Sequence, residues 1–215
     1  ETNMTGALSL SADHVKDAKY VINCDSESIH VICVASAGSC HMEFTRDLHR
    51  CAPKGDTALT VRAHALAGGH SGEVINEGRG NAIKAVADVL YRLSEGGVEY
   101  ALADYKGGVA ANAIPSDASA VVVVAAKDVD RVKATVAVAE KDFNLVYGET
   151  DPNAVFEVTP AALPKSVLSA EDTTAIVDVI NLLHCGVFAM DRRLPRLPAL
   201  SASLGTIETR EDVLA

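Results

Sequence analysis

At 215 residues the chain suits one large domain or two small ones. Apolar residues make up 48 % of it, aromatic ones only 4 %, and Trp is absent, so its core must be built from Val, Ala, Leu and Ile. A net charge of −10 leaves no basic face for nucleic acid or an anionic membrane surface, and no apolar run is long enough to cross a bilayer.

The five cysteines are Cys24, Cys33, Cys40, Cys51 and Cys185, an odd number with no CxxC pair. Neither a disulfide framework nor a zinc knuckle follows, and reduced cytoplasmic thiols are the simplest reading. The chain opens on Glu1 without Met and stops at Ala215 after a strand-like run, so the expectation is a piece of a larger protein.

In chain order, 19–23 and 29–35 are short β-prone runs around the polar turn Cys24-Asp25-Ser26-Glu27-Ser28. Residues 57–66 predict a strand, with alternation at Leu59, Val61 and Ala63. After the turn Gly68-Gly69-His70-Ser71-Gly72, a helix is predicted over about 79–94. Its apolar stripe is Ile83, Val86, Leu90 and Leu93, and Gly96-Gly97 ends it. Asn81 reads as its N-terminal residue. Strands follow near 98–105 and 118–125, the second a continuous apolar run of the fully buried kind. A second helix is predicted over about 127–141, with Val129, Val132 and Val136 on one face, then a strand at 154–158 after the turn Asp151-Pro152-Asn153.

That order predicts an α+β fold: a split βαβ (ferredoxin-like) arrangement, with a four-stranded antiparallel sheet and two helices on one face. A third helix starts near Ser169, where Ser169 and Asp172 have capping-box spacing, and covers Ile176, Ile180 and Leu183. Strand-like segments at 186–190 and 199–208 flank a basic, proline-containing loop at 191–198 and extend the fold, with the beginning of a second, incomplete sheet as one expectation.

Four residues stand out chemically. His70, set between glycines, can present its ring to a substrate, although a turn carrying a surface His fits the same local pattern. Asp25 follows a β-prone run, a place suited to a metal ligand, while an Asx turn is the commoner use of such an Asp. Asn112, in Ala111-Asn112-Ala113-Ile114-Pro115, offers one acceptor and two donors to a substrate carbonyl or carboxylate, and serves equally as a turn residue entering a strand. Glu1 gains meaning only from the resemblance given below. His14, His30, His41, His49, His64 and His184 share no metal-ligand spacing, and Gly78-Arg79-Gly80 lacks the Lys-Ser/Thr end of a phosphate loop.

Taken in order, Glu1-Thr2-Asn3-Met4-Thr5-Gly6-Ala7, Ile22-Asn23-Cys24-Asp25-Ser26-Glu27, Gly68-Gly69-His70-Ser71-Gly72, Gly80-Asn81-Ala82 and Asn112-Ala113-Ile114-Pro115 resemble the zinc-dependent aminoacyl-histidine (Xaa-His) dipeptidases. These belong to the co-catalytic zinc peptidase and deacylase superfamily, and the likeness covers essentially the whole chain. It implies that Asp25 and Glu1 are metal ligands in a parent enzyme holding two Zn2+ ions. His70 would polarise the scissile carbonyl, and Asn112 would hold the dipeptide substrate. Cys24, Asn3 and Ser28-Ile29-His30 depart from the family pattern. The remaining metal ligands and the general-base Glu of the family have no counterpart between Glu1 and Ala215.

The resemblance divides the chain into a remnant of a catalytic domain over 1–37 and a lid (substrate-capping and dimerisation) domain over 38–215, truncated at its C-terminus. It further implies a cytoplasmic parent hydrolase, a catalytic domain in the same polypeptide, a homodimer, and a fragment that is inactive alone. Two other readings remain: another zinc peptidase or N-acyl amino acid deacylase of the same superfamily, or a non-catalytic oligomerisation module.

Overall fold

Alternating apolar residues make the central strand and decide which way it faces. In Thr57–His64 (β1), Leu59, Val61 and Ala63 are buried on one face, while Thr60, Arg62 and His64 point to the other. The computed structural model describes residues 6, 9–22, 30, 32, 38–210 and 213–214. The chain forms two compact units, 1–40 and 41–215. In the first, a short 3₁₀ turn at Ala12–His14 is capped by Ser11 Oγ, which accepts from Asp13 N at 3.2 Å. The described residues 19–22 form no strand, contrary to expectation; residue 23 and most of 29–35 lie outside the described residues.

The second unit carries the fold. After β1 come Ala82–Glu95 (α1), Tyr100–Gly107 (β2), Ala118–Val124 (β3), Val129–Tyr147 (α2), Val155–Ala161 (β4) and Ala170–Leu182 (α3). Gly186–Met190 (β5), Pro198–Ala202 (β6) and Ile207–Glu208 (β7) follow. The main sheet runs β7-β2-β3-β1-β4 and every neighbouring pair in it is antiparallel. Within it, the β1-α1-β2-β3-α2-β4 sequence of elements gives the split βαβ arrangement. The expected four strands become five, because the two-residue β7 pairs with Lys106 and Gly107 at the β2 edge.

All three long helices share one core with the Leu59-Val61-Ala63 face of β1 and the Ala118, Ala120, Val122 and Val124 positions of β3. The α1 stripe Ile83, Val86, Leu90 and Leu93 is fully buried there, as is Val132 of α2. Burial of this kind stabilises by about 25 cal/mol per Å² of apolar area. Tyr105 of β2 lies in the same core with its hydroxyl donating to Ile83 O at 2.5 Å, and burial pushes the phenol well above its usual range. The opposite sheet face is polar around Arg62, whose guanidinium lies between Asp117 and Glu157.

Helix α2 runs six residues past its expected end at 141, to Tyr147. The extra turns hold Phe143, whose ring packs against Tyr147 (4.7 Å between centroids) and Phe156 (5.2 Å). The expected strand over 199–208 splits in two: β6 pairs with β5 in a separate ribbon, and β7 joins the main sheet. Gly205, between them, approaches Ala111 so closely that a Cβ would stand 2.5 Å from its carbonyl oxygen.

The sheet's long edges are closed by side chains. On β4, Phe156 N donates outward to Glu140 Oε1 at 3.1 Å, and Pro160, on the same edge, has no N–H to offer. On β2, Leu102 N donates to Thr173 Oγ1 at 3.3 Å and Tyr105 N to Thr209 Oγ1 at 2.8 Å.

Candidate functional site

The glycine-flanked histidine sits where the chain leaves β1 and turns toward α1. Gly68 (φ 59°) and Gly69 (φ 120°) both occupy left-handed backbone, and a Cβ on Gly69 would also meet Arg79 Nη1 at 2.7 Å. Gly69–His70 then pairs antiparallel with Ala113–Ile114, Gly69 opposite Ile114 and His70 opposite Ala113. Ser71 N donates to Asn112 O at 2.9 Å, which fixes the register.

This pairing brings two of the sequence-predicted residues side by side. The His70 ring is exposed, and its Nε2 lies 3.3 Å from the Asn112 side-chain amide. His70 Nδ1 accepts from Gly72 N at 3.1 Å, capping the short helix Ser71–Val74. A neutral ring whose Nδ1 accepts carries its proton on Nε2. The amide orientation that puts the Asn112 oxygen on that proton satisfies both groups, the two orientations being nearly indistinguishable in shape. The pair therefore holds the ring and the amide in one orientation at the surface.

The segment around His70 is held from behind. Asp151 is buried, at 1 % exposure. Its Oδ1 accepts from Ala67 N and its Oδ2 from Gly80 N, both at 2.8 Å. Gly80 lies against the Phe143 ring, where a Cβ would come within 2.4 Å. Asn81, expected at the helix start, is the N-cap of α1: its Oδ1 accepts from Lys84 N at 3.2 Å and its Nδ2 donates to Leu204 O at 2.9 Å. Ala82 N donates to Pro115 O at 3.0 Å, so the helix start also anchors the Asn112 segment. Asp151 was not singled out in the sequence, because Asp-Pro-Asn reads as a local turn and its partners lie far away in the chain.

A cleft of ≈ 1000 Å³ runs beside the bridge, lined by Gly68, Gly69, Ala113, Ser116, Lys106 and Arg210 among others. A second, of ≈ 770 Å³, borders α1 and α2. Its cations are already engaged: Arg92 with Asp88 and Asp142, Arg79 with Glu77, and Lys84 Nζ with the carbonyls of Ile180, Asn181 and Leu183 at 2.6–2.8 Å. Burial holds the Lys84 ammonium below its usual pKa, opposed by nearby Cys185 and Asp88. Each of these cations therefore already has its hydrogen-bond partners.

Glu1 and Asp25, the expected metal ligands, lie outside the described residues. Among the described residues no group of three or more His, Cys, Asp and Glu side chains could hold a metal ion, and none of the described helices is long and apolar enough to cross a membrane. Both nitrogens of His70 have partners within the domain, the Gly72 N–H on Nδ1 and the Asn112 amide on Nε2.

A split βαβ sheet with its helices on one face, carrying an exposed histidine on a braced glycine turn, makes this an α+β domain of the ferredoxin-like kind. Residues 63–151 match the model of the M20 peptidase dimerisation domain. The chain is 32 % identical over 190 residues to the cytosol non-specific dipeptidase of Escherichia coli K12, covering 87 % of this chain and 38 % of that protein. It also superposes on the aminoacylhistidine dipeptidase of Vibrio alginolyticus with a TM-score of 0.75 and 26 % identity, over 79 % of this chain and 35 % of that one. The chain thus spans little more than a third of the length of these relatives.

Proposed function

We propose that this chain is the lid of a cytoplasmic dipeptidase that hydrolyses Xaa-His dipeptides, with residues 1–37 a strip of its catalytic domain. The observation that carries the reading is the His70–Asn112 pair, an exposed and oriented N–H donor beside an amide. His70 donates its Nε2–H to the scissile carbonyl oxygen, which takes the place of the Asn112 oxygen on that proton, and the released Asn112 amide holds the substrate beside it. Both relatives are dipeptidases by name, which supports a peptide carbonyl as the group acted on.

Glu1 and Asp25 are the proposed zinc ligands. A catalytic zinc takes three protein ligands and a water, and two carboxylates fall short of that. The described residues add no further donor set, so no step here runs through the metal, and the lid alone is expected to turn over no substrate. The match of residues 63–151 to a peptidase dimerisation domain supports pairing with a second copy.

The test is an assay of the full-length protein on Xaa-His dipeptides, other dipeptides and N-acyl amino acids. Preferred cleavage of Xaa-His substrates is expected. Equal cleavage of unrelated dipeptides removes the His specificity, and activity on N-acyl amino acids alone makes the protein a deacylase.

A further inference from the structure

We infer that Asp151 is a positioning residue for His70, a carboxylate clasp that closes the base of the segment carrying the histidine. The inference rests on the role proposed for His70. Ala67 and Gly80 flank that segment on its two sides, and their N–H groups converge on the two oxygens of one buried carboxyl. The carboxyl itself is fixed: Asp151 N donates to Tyr147 O at 2.7 Å at the end of α2, and the Thr150 hydroxyl lies 2.9 Å from Oδ2.

Between the two clasped ends stand the glycine turn, His70 and the Ser71–Val74 helix that His70 Nδ1 caps. Arg79 adds a second tie on the same segment, its Nη1 donating to Gly68 O while its other nitrogens pair with Glu77. The clasped residues are not joined by a local turn; Leu66 N and Ala82 N reach the neighbouring carbonyls of Ser116 and Pro115, and the carboxylate links Ala67 and Gly80 directly. With the ends free to part, the cap between Gly72 N–H and Nδ1 loosens, and with it the placement of the Nε2 proton. Displacement of a catalytic group by about 1 Å costs on the order of 10²-fold in rate.

A carboxylate offers an oxygen to each N–H, whereas an amide of the same shape sets an NH₂ against one of them. Asp151→Asn therefore keeps the side chain's shape while replacing one acceptor oxygen by a donor and removing the charge. In this chain, the long-range proton–nitrogen NMR spectrum of His70 is expected to change from one tautomer, with the proton on Nε2, to a mixture. Amide exchange at Ala67 and Gly80 is expected to accelerate. In the full-length peptidase, kcat should fall about tenfold or more with KM and metal content nearly unchanged.

The double variant carrying His70→Ala as well should lose no more kcat than His70→Ala alone, because a residue acting through another is not additive with it. An unchanged His70 tautomer, or losses that multiply in the double variant, overturns the inference. If Asp151→Asn fails to fold, Thr150→Val keeps the carboxylate but frees it, and should show a smaller change in the same readouts, again non-additive with His70→Ala. A His70→Ala variant with normal kcat defeats the proposed function instead, and the NMR and exchange results still decide the clasp.

Discussion

His70 and Asn112 stand 42 positions apart in the chain and 3.3 Å apart in space, held together by a strand pairing only two residues long. So short a pairing has little stability of its own. Its register depends on what anchors each side: the Ala67–Asp151 bond behind His70 and the Ala82–Pro115 bond behind Asn112. In the full-length peptidase, His70→Ala is expected to lower kcat by about 10²–10³ with metal content unchanged, since the contact strengthens in the transition state. Asn112→Ala should raise KM as well. Metal analysis beside steady-state kinetics checks both.

Gly80→Ala should destabilise the domain through its neighbour and not through the backbone. The new methyl meets the Phe143 ring, which is itself packed on Phe156 and Tyr147. Overpacking of this kind costs about 1–3 kcal/mol. Denaturant unfolding reads the loss, and pairing the change with Phe143→Leu should recover part of it.

Asp172 makes stability depend on acid. It is buried, and it accepts from His49 N at 2.8 Å, from Arg46 at 2.7 and 2.9 Å and from the Ser169 hydroxyl at 2.9 Å. The His49 N–H contributes most to holding its carboxyl far below the ordinary carboxylate value of 3.8, with Arg46, Ser169 and the His49 ring adding to the effect against desolvation. A depressed folded-state pKa means that the unfolded chain takes up the proton first. The stabilisation is therefore full above the unfolded value and is lost progressively as pH falls below it. Unfolding midpoints measured from pH 6 downward should fall more steeply for the natural chain than for Asp172→Asn, which starts lower and flatter.

Lys84→Met should loosen the end of α3. The ammonium satisfies three carbonyls there, and a methionine fills the space without donating. Each buried acceptor left unpaired costs about 1–3 kcal/mol, less where water reaches it. Faster amide exchange confined to the last turn of α3 and to the 183–186 segment is the expected signature in hydrogen-exchange data.

The order of elements was legible because the chain's apolar periods are clean: two in β1, three-four in α1, and an unbroken valine run in β3. Local chemistry also marked helix starts, and Asn81 and Ser169 are N-caps, Ser169 Oγ accepting from Asp172 N at 3.1 Å. What stayed hidden depends on partners distant in sequence. The last turns of α2 form because Phe143 finds Phe156, and the break after β6 comes from Gly205 meeting Ala111. For the site, glycines flagged His70 and a pre-strand position flagged Asn112, but nothing in their spacing made them neighbours. Asp151 was invisible as a clasp because a turn explains Asp-Pro-Asn without it.

The main sheet also protects itself. Glu140 occupies one outward N–H of β4, Pro160 removes another, and Thr173 and Thr209 occupy those of β2, so an incoming strand finds no continuous ladder to zip along. A sheet with a run of four valines in β3, a strongly β-forming segment, has in this way fewer open positions from which to grow. At these positions backbone pairing, which accepts almost any strand, is disfavoured, and assembly is left to side-chain faces, where fit and charge select the partner.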